Sequence, residues 1–333
     1  MKQLNHVALF AGLGGFIAAA SRCGFKTIYA NDNNDACCET LRKSYPKLIV
    51  SNKDIRELSL RSELDSKKEI DLLSAGFPCQ SFSIAGDNLG FEDPRGQLFF
   101  EIIRICKELE NPPKILLLEN VAHLKQYNNG SRLSVILQEL RSAGYWIRDK
   151  HAMILNSKDL CNSAQNRERL YIVAYHSKHF KKNYFDAEMK SENGSPAESL
   201  WEIINTTERC DDSYYLPHGS KYWNMIKSAA KSYGKNYLFQ IRRTSVRTCP
   251  ENTCPTLTAN MGGGGHNIPF LIDKFGVRKL TEKECLRLQG YRDIEVKFPE
   301  KLSKVLKYSM IGNAIYPKVA ELIIKQLDFS KLR

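Results

Sequence analysis

The sequence predicts an α/β protein: a doubly wound, mostly parallel sheet joined to a second, smaller and irregular domain. Three observations predict it. Short apolar runs alternate with helical patterns up to Tyr175. Periodicity then weakens from about His176 to about Thr256, where Lys, Asn, Ser and Tyr become frequent. A capped helix and an apolar helix close the chain. Alternating strands and helices build parallel sheets covered on both faces.

His6-Val7-Ala8-Leu9-Phe10 reads as a strand, followed by a Gly-rich turn from Ala11 to Gly15. Phe16 to Cys23 reads as a helix stopped by Gly24, and Thr27 to Ala30 as the second strand. A helix from about Asn34 to Tyr45 is closed by Pro46, which cannot continue it. Ile70 to Ser74 and Ile115 to Leu118 are apolar runs of the buried-strand type. Between them, Leu98 to Leu109 carries apolar residues at 98, 99, 102, 103, 105, 106 and 109, one face of a helix. Ser131 to Ala143 is a further helix and Leu170 to Tyr175 a later strand. After Lys279 a helix resumes, with Thr281 as its cap and Glu284 as capping-box partner. The last helix, about Pro317 to Leu327, is apolar enough to be a core helix, so the C-terminus is expected to return to the first domain. The expected division is 1–180 plus 305–333 for the first domain and 181–304 for the second. Sheets of this kind bind ligands at the carboxyl ends of their strands. The turn after Phe10 and the segments after Ser74 and Leu118 are therefore expected to meet at one rim.

The 333 residues are 42% apolar and 26% charged, ordinary for a globular chain with a sizeable core. No apolar run has the length of a membrane span. The start, Met1-Lys2-Gln3-Leu4-Asn5-His6, lacks the layout of a signal peptide, and a cytoplasmic protein is expected. The net charge of +12 favours phosphate-rich partners, although a basic solvated surface explains it too. Arg242, Arg243, Arg247 and Lys235 lie close together, as do Lys221, Lys227 and Lys231. The ten cysteines are read as reduced thiols. Cys249 and Cys254 lack a second Cys or His pair at zinc-finger spacing, and His266 stands alone, so no metal is expected.

Phe10-Ala11-Gly12-Leu13-Gly14-Gly15-Phe16 leaves the first strand and opens a helix. Glycines there let a ligand approach the backbone, and a helix N-terminus favours polar or anionic groups. A tight turn with no ligand explains the segment equally well. The second strand ends in Asn31-Asp32, where a carboxylate holds a ribose diol in folds of this kind. Asp54 is a candidate for an adenine amino group. Gly76-Phe77-Pro78-Cys79-Gln80-Ser81-Phe82-Ser83 leaves a buried strand at the expected rim. Pro78 stiffens the backbone before the Cys79 thiol, a placement that suits a nucleophile better than a buried structural cysteine. Leu118-Glu119-Asn120-Val121 leaves the next strand at the same rim, where a carboxyl can protonate a ring nitrogen. Taken alone, a surface glutamate is the simpler reading. In Gln165-Asn166-Arg167-Glu168-Arg169, the two arginines share a side if the segment is extended. Taken alone, a solvated charge run is again simpler.

In this order, the motifs resemble the DNA cytosine-5 methyltransferase family across nearly the whole chain, ending with Gly312-Asn313-Ala314-Ile315. Arg278-Lys279-Leu280-Thr281 through Glu284-Cys285 to Gln289-Gly290-Tyr291 is similar to the stretch before the family's final helix. Among relatives, the chain is most similar to compact bacterial modification enzymes that accompany restriction endonucleases. The resemblance implies methyl transfer from S-adenosyl-L-methionine to carbon 5 of a cytosine flipped from duplex DNA, leaving S-adenosyl-L-homocysteine. It implies that Cys79, as thiolate, adds to carbon 6 while Glu119 stabilises a protonated N3. Arg169 would hold the exocyclic oxygen and Glu119, and Arg167 would help position the thiolate and Glu119. No metal is implied. Phe10, Gly12, Leu13, Gly14, Gly15, Asp32, Asn33, Asp54, Ile55, Pro78, Leu98, Asn313, Ala314 and Ile315 match family positions around the methyl donor. Three departures stand out: Asp32 where Glu is commoner, Asn33 where an aromatic often stacks on adenine, and Ile315 where Val is usual.

The resemblance makes residues from about His176 to Phe275 the target-recognition part, with Cys254 to Asn260 and the Gly262 to Gly265 loop similar to its core. Thr256, Gly263 and Gly264 are expected near the DNA backbone. The segment Ser81 to Gly96 is expected to close over the flipped base, with Gln80, Ser81, Ser83 and Arg95 against DNA. Arg242, Arg243 and Arg247 either read guanines or hold phosphates, the latter being favoured. A monomer is expected, with a restriction endonuclease as a functional rather than physical partner. Two other readings stay open on the same fold: a tRNA cytosine-5 methyltransferase and a catalytically silent DNA-binding relative. Phe77 before Pro78, where the tRNA branch usually has a second proline, counts against the first. The intact Cys79, Glu119, Arg167 and Arg169 count against the second. A nicotinamide-dependent dehydrogenase would have no use for Cys79 and Glu119.

Overall fold

The computed structural model describes residues 3–65, 68–78, 98–191, 197–234, 236–242, 245–262 and 268–332. They form two compact units. One comprises Met1–Leu155, Glu168–Met189 and Pro317–Arg333; the other comprises Asn156–Arg167 and Lys190–Tyr316.

The first unit alternates as its sequence predicts: β1 (Asn5–Leu9), α1 (Gly15–Arg22), β2 (Lys26–Asn31), α2 (Asp35–Ser44), β3 (Ile49–Ser51), α3 (Leu60–Glu63), β4 (Leu72–Gly76), α4 (Leu98–Glu108) and β5 (Ile115–Val121). It continues with α5 (His123–Gln126), α6 (Ser131–Ser142), β6 (Tyr145–Trp146), β7 (Ala152–Asn156) and β8 (Glu168–His176). The strands are ordered β3-β2-β1-β4-β5-β8-β6, with β7 also paired to β8. β1 to β5 are parallel. β8 runs antiparallel to β5 and to β6, which makes the sheet mostly parallel. The strand order reverses direction at β1 and β4, the switch point where such sheets bind ligands. Leu9 pairs with Ala75 and Gly76 pairs with Glu119, so the ends of β1, β4 and β5 do share one rim. α4 buries Phe99, Ile102, Ile103, Ile105 and Cys106, the face its spacing marks. Asn34 caps α2 by accepting from Cys37 N. The C-terminal helix Pro317–Lys325 packs against α1 and so returns to this unit.

The second unit contains α7 (Ser157–Cys161), α8 (Leu200–Ile203), α9 (Lys221–Tyr233), β9 (Phe239–Arg242), β10 (Ser245–Thr248), β11 (Phe270–Ile272), β12 (Val277–Lys279), α10 (Glu282–Leu288) and α11 (Lys304–Asn313). The four strands form an antiparallel sheet in the order β10-β9-β11-β12. The unit is therefore more regular than its sequence suggests. Residues 305–316 and 156–167 belong to it rather than to the sheet unit where the sequence expectation put them, and 181–189 belong to the sheet unit rather than to this one. The physical reason for the first is that α11 packs on α10 and Tyr308 Oη donates to Leu280 O. The predicted capping box forms at α10: Thr281 accepts from Glu284 N, and Glu284 accepts from Thr281 N. The same carboxylate receives both terminal nitrogens of the fully buried Arg278, whose Nε donates to Asp273. Asn205 O and Lys279 O take further bonds from that guanidinium. A buried charge with this many partners has its desolvation offset.

One buried group makes the sheet acid-sensitive. His6 on β1 is fully buried, 2.9 Å from Thr27 Oγ1 and 2.8 Å from Ser74 Oγ. Burial pushes its imidazole down to about 3. The folded protein thus keeps His6 neutral where the unfolded chain binds a proton. That contribution is fully present above about pH 6.5 and is lost as pH falls towards about 3. The slope is about 1.4 kcal/mol per pH unit for one proton. His151 and His176, each pushed down to about 4 mainly by burial, act in the same sense. We expect His6→Asn to remove one proton of uptake from the acid limb of a stability–pH curve measured by urea unfolding. An unchanged limb would contradict the assignment.

Candidate active site

The turn after β1 has an uncommon backbone. Phe10, Gly12 and Gly14 have φ of 50°, 53° and 79°. A left-handed aromatic residue is strained. It is held because Ala11 N donates to Asn31 O and the Phe10 ring packs on the core. Gly12 N donates to Asp32 Oδ2 at 2.8 Å, and Asn34 N donates to Oδ1 at 2.9 Å. Burial pushes the Asp32 carboxyl up, while these two N–H groups pull it down. A Cβ built on Gly12 would meet nothing within 4 Å, so open space lies beside the turn. At Gly14 a Cβ would come within 3.0 Å of Leu41 Cδ2 on α2, so that glycine also serves close packing. Leu13 and Gly15 are buried, and Asn33 is exposed. Past β3, Asp54 accepts from Arg56 Nε at 2.8 Å and Nη2 at 2.7 Å, which holds its carboxyl down at about 2. Ile55 beside it is buried.

The exits of β4 and β5 lie side by side. Asn120 Nδ2 donates to Phe77 O at 2.9 Å, fixing the main chain just before Pro78, which is half-buried. Leu98, half-buried, opens α4 and packs on the core. Glu119 is 8% exposed. β8 is antiparallel to β5 with Val121 opposite Arg169, so Arg169 and Glu119 are diagonal neighbours on one face. Arg169 Nε lies 3.2 Å from Glu119 Oε1. Cys79, Gln80, Ser81, Ser83 and Arg95, with the expected closing segment 81–96, lie outside the described residues, as do Lys235, Arg243, Gly263, Gly264 and His266.

Within the second unit, Arg167 is 3% exposed and donates to Leu257 O, Gly312 O and Ala314 O at 2.9, 3.1 and 2.8 Å. Gln165 Nε2 donates to Leu288 O and Gln289 Oε1, and Leu257 N donates to Gln165 Oε1. Gln289 Nε2 donates to Ala314 O. A Cβ on Gly312 would sit 2.1 Å from Thr258 C, so only glycine fits there. Three motifs far apart in sequence are thereby tied together, leaving Asn313 exposed and Ala314 and Ile315 buried. Gln165, Gln289 and Asn120 have no assigned role in the sequence reading. The signal was present in each case as an amide beside a charged or glycine-bearing motif position. Arg242 and Arg247 are exposed on the β9–β10 hairpin and share the face of Gln240. Thr256 Oγ1 donates to Asn166 O at 2.7 Å.

Solved methyltransferase structures share this architecture. EhMeth of Entamoeba histolytica aligns with a TM-score of 0.74 at 16% identity, covering 98% of each chain. Dnmt2 of S. pombe aligns at 0.70 and 20%, covering 97% of each. At these identities the likeness establishes a methyltransferase fold and nothing finer. The sequence goes further: residues 4–328 match the profile of the C-5 cytosine-specific DNA methylases, and the chain belongs to that family. It is 36% identical to the Type II methyltransferase M.Bsp6I of Bacillus sp. (strain RFL6), across 99% of this chain and 100% of that one. Its identity to the Type II methyltransferase M.PspPI of Psychrobacter sp. (strain TA137) is 39%, over 98% of this chain and 79% of the other. With M.HhaI of Haemophilus parahaemolyticus it shares 28%, over 98% and 95%.

Arg167 offers a test of the clamp. Lysine cannot reproduce a planar fork on several carbonyls. Arg167→Lys is expected to weaken the second unit by about 2–4 kcal/mol, the scale of charged hydrogen bonds lost at buried carbonyls. Chemical denaturation followed in that unit measures it, and a change under about 0.5 kcal/mol would show the clamp to be dispensable.

Proposed function

We propose that the protein methylates carbon 5 of one cytosine within a short specific site of duplex DNA, using S-adenosyl-L-methionine and a Cys79 nucleophile. The observation that carries this reading is the Arg169–Glu119 pair at the exit of β5, beside the β4 exit that leads through Phe77 and Pro78 to Cys79.

Carbon 5 of cytosine is a poor nucleophile while the ring stays aromatic. Addition of the Cys79 thiolate to carbon 6 makes the ring enamine-like, and a proton held at N3 by Glu119 lowers the cost of that addition. Arg169 orients the Glu119 carboxyl and reaches the exocyclic oxygen of the base. Asn120 fixes the main chain ahead of the nucleophile through Phe77 O. Once carbon 5 carries the methyl group, loss of its proton expels Cys79 and restores aromaticity. The cysteine must be a thiolate, and the base must leave the duplex to meet it. Arg167 acts on this scheme by holding the main chain of its own unit.

The rim suits the methyl donor, which when bound supplies an electrophilic methyl group. Asp32 offers a half-buried carboxylate for a ribose diol, and the open space beside Gly12 admits a ligand against the backbone. Phe10, Leu13, Gly14, Gly15, Asn33, Asp54, Ile55, Pro78, Leu98, Asn313, Ala314 and Ile315 are assigned to this site by motif position. Asp54 would have to share its oxygens with Arg56 to meet adenine.

Arg242, Arg247 and Thr256, with Gln80, Ser81, Ser83, Arg95, Arg243, Gly263 and Gly264 by motif position, are assigned to DNA. The net charge of +12 favours that partner. Relatives called Type II methyltransferases support a protective role opposite a restriction endonuclease. No described helix is long and apolar enough to cross a membrane.

Bisulfite sequencing of DNA from cells expressing the protein identifies the target site. A duplex carrying 5-fluorocytosine at that site is then expected to trap the enzyme, because fluorine cannot leave as a proton does. Mass spectrometry should place the adduct on Cys79, and Cys79→Ser should bind DNA without adduct or turnover. An adduct elsewhere, or near-normal methylation by the serine variant, would refute the scheme.

A further inference from the structure

α9 takes no part in the site derived above, yet its composition is strongly one-sided. Its thirteen residues contain no acid, and Ser220 caps it by accepting from Trp223 N. At about 100° per residue, Lys221, Asn224, Lys227, Ser228, Lys231 and Ser232 fall within one arc of about 140°. The rest of the helix is apolar or aromatic, and Ile226 is its buried anchor. Lys227 and Lys231 are one turn apart. Together with Asn224, Ser228, Trp223 and Ile272 they line an open cavity of about 530 Å³. Lys227 Nζ sits 5.2 Å from the Trp223 ring centroid. Among the described residues, neither ammonium is in an ion pair.

Two ammoniums, an amide and a hydroxyl in one concavity, with no carboxylate among its described lining residues, form a donor set for a polyanion. Lys, Asn and Ser are side chains that hold phosphodiester oxygens without reading bases. The helix also packs on β9 and β10, the strands that carry exposed Arg242 and Arg247. We infer that this face of α9 grips the phosphodiester backbone of the substrate DNA, with Lys227 and Lys231 as positioning residues. The assignment rests on the DNA substrate proposed above. Such a contact is independent of sequence, so it acts on DNA affinity and leaves the chemical step alone.

The test uses the full-length protein with Lys227→Ala/Lys231→Ala, and with both lysines changed to Arg. Alanine favours helix, so α9 is retained, and an unchanged Tm confirms it. The salt dependence of binding to a short non-target duplex is measured, together with kcat and KM for target DNA. Loss of two phosphate contacts is expected to lower the slope of log K against log salt by about 1.8. That corresponds to a loss of roughly 30-fold in affinity at physiological salt. The KM for DNA should rise with kcat unchanged, and the Arg variant should keep wild-type behaviour. An unchanged salt slope and KM in the folded alanine variant would overturn the inference, as would a loss confined to kcat. If the wild type methylates DNA and the alanine variant matches it, only the α9 grip falls. If the wild type methylates no DNA, the functional reading falls.

Discussion

The antiparallel pairing of β8 with β5 is the constraint on which the Arg169–Glu119 pair depends. Because β8 runs against β5, its first residues lie at the rim where β5 ends. Arg169 therefore reaches Glu119, which a parallel β8 would have left at the opposite edge. A slip of one residue would turn Arg169 to the other face of the sheet. The far end of the neighbouring strand pair is pinned by a buried cation: Lys114, just before β5, bonds Asp71 at 2.7 Å and Glu69 at 2.9 Å. Tyr145 adds a bond to Pro113 O. The register that aligns the carboxyl end is thus also secured at the amino end.

The second unit solves a similar problem with buried amides and one guanidinium. Gln165, Arg167 and Gln289 have almost no surface, and their bonds converge on main-chain carbonyls and amides of Leu257, Leu288, Gly312 and Ala314. Carbonyls in loops and in the last turn of a helix have no strand or helix partner, and leaving them buried and bare is costly. Gly312 lets the Thr258 main chain approach where any side chain would collide. Sequence motifs that look catalytic at first sight therefore also carry architecture. Polar residues in a conspicuous motif need not all touch a substrate.

Much of the sheet was legible because it rests on local patterns. Apolar runs mark β1, β2, β4 and β5, the spacing in α4 marks its buried face, and Thr281 with Glu284 announces the start of α10. The common rim of β1, β4 and β5 follows from strand–helix alternation alone. What stayed hidden depends on partners distant in sequence or on weak contrast. An apolar run does not encode direction, so the reversal of β8 could not be read. α9 was missed because its apolar side is made of half-exposed Trp, Tyr, Met and Ala, with Ile226 alone fully buried. The claim of Arg56 on Asp54 is a contact two residues away that strand–helix reasoning does not weigh. Glu119 was identifiable by its position after β5, and the family resemblance named Arg169 as its partner; strand–helix reasoning alone could not, because the pair depends on the cross-strand register.

The central claim is that Glu119 supplies the proton at N3 that allows a thiol to add to the ring. Addition to carbon 6 labilises the hydrogen at carbon 5, so the release of tritium from target DNA carrying [5-³H]cytosine reports the step directly. Glu119→Gln, which keeps the size and most contacts of the side chain, should slow that release by roughly 10²–10⁴-fold while DNA binding persists. Release at the wild-type rate would contradict the account.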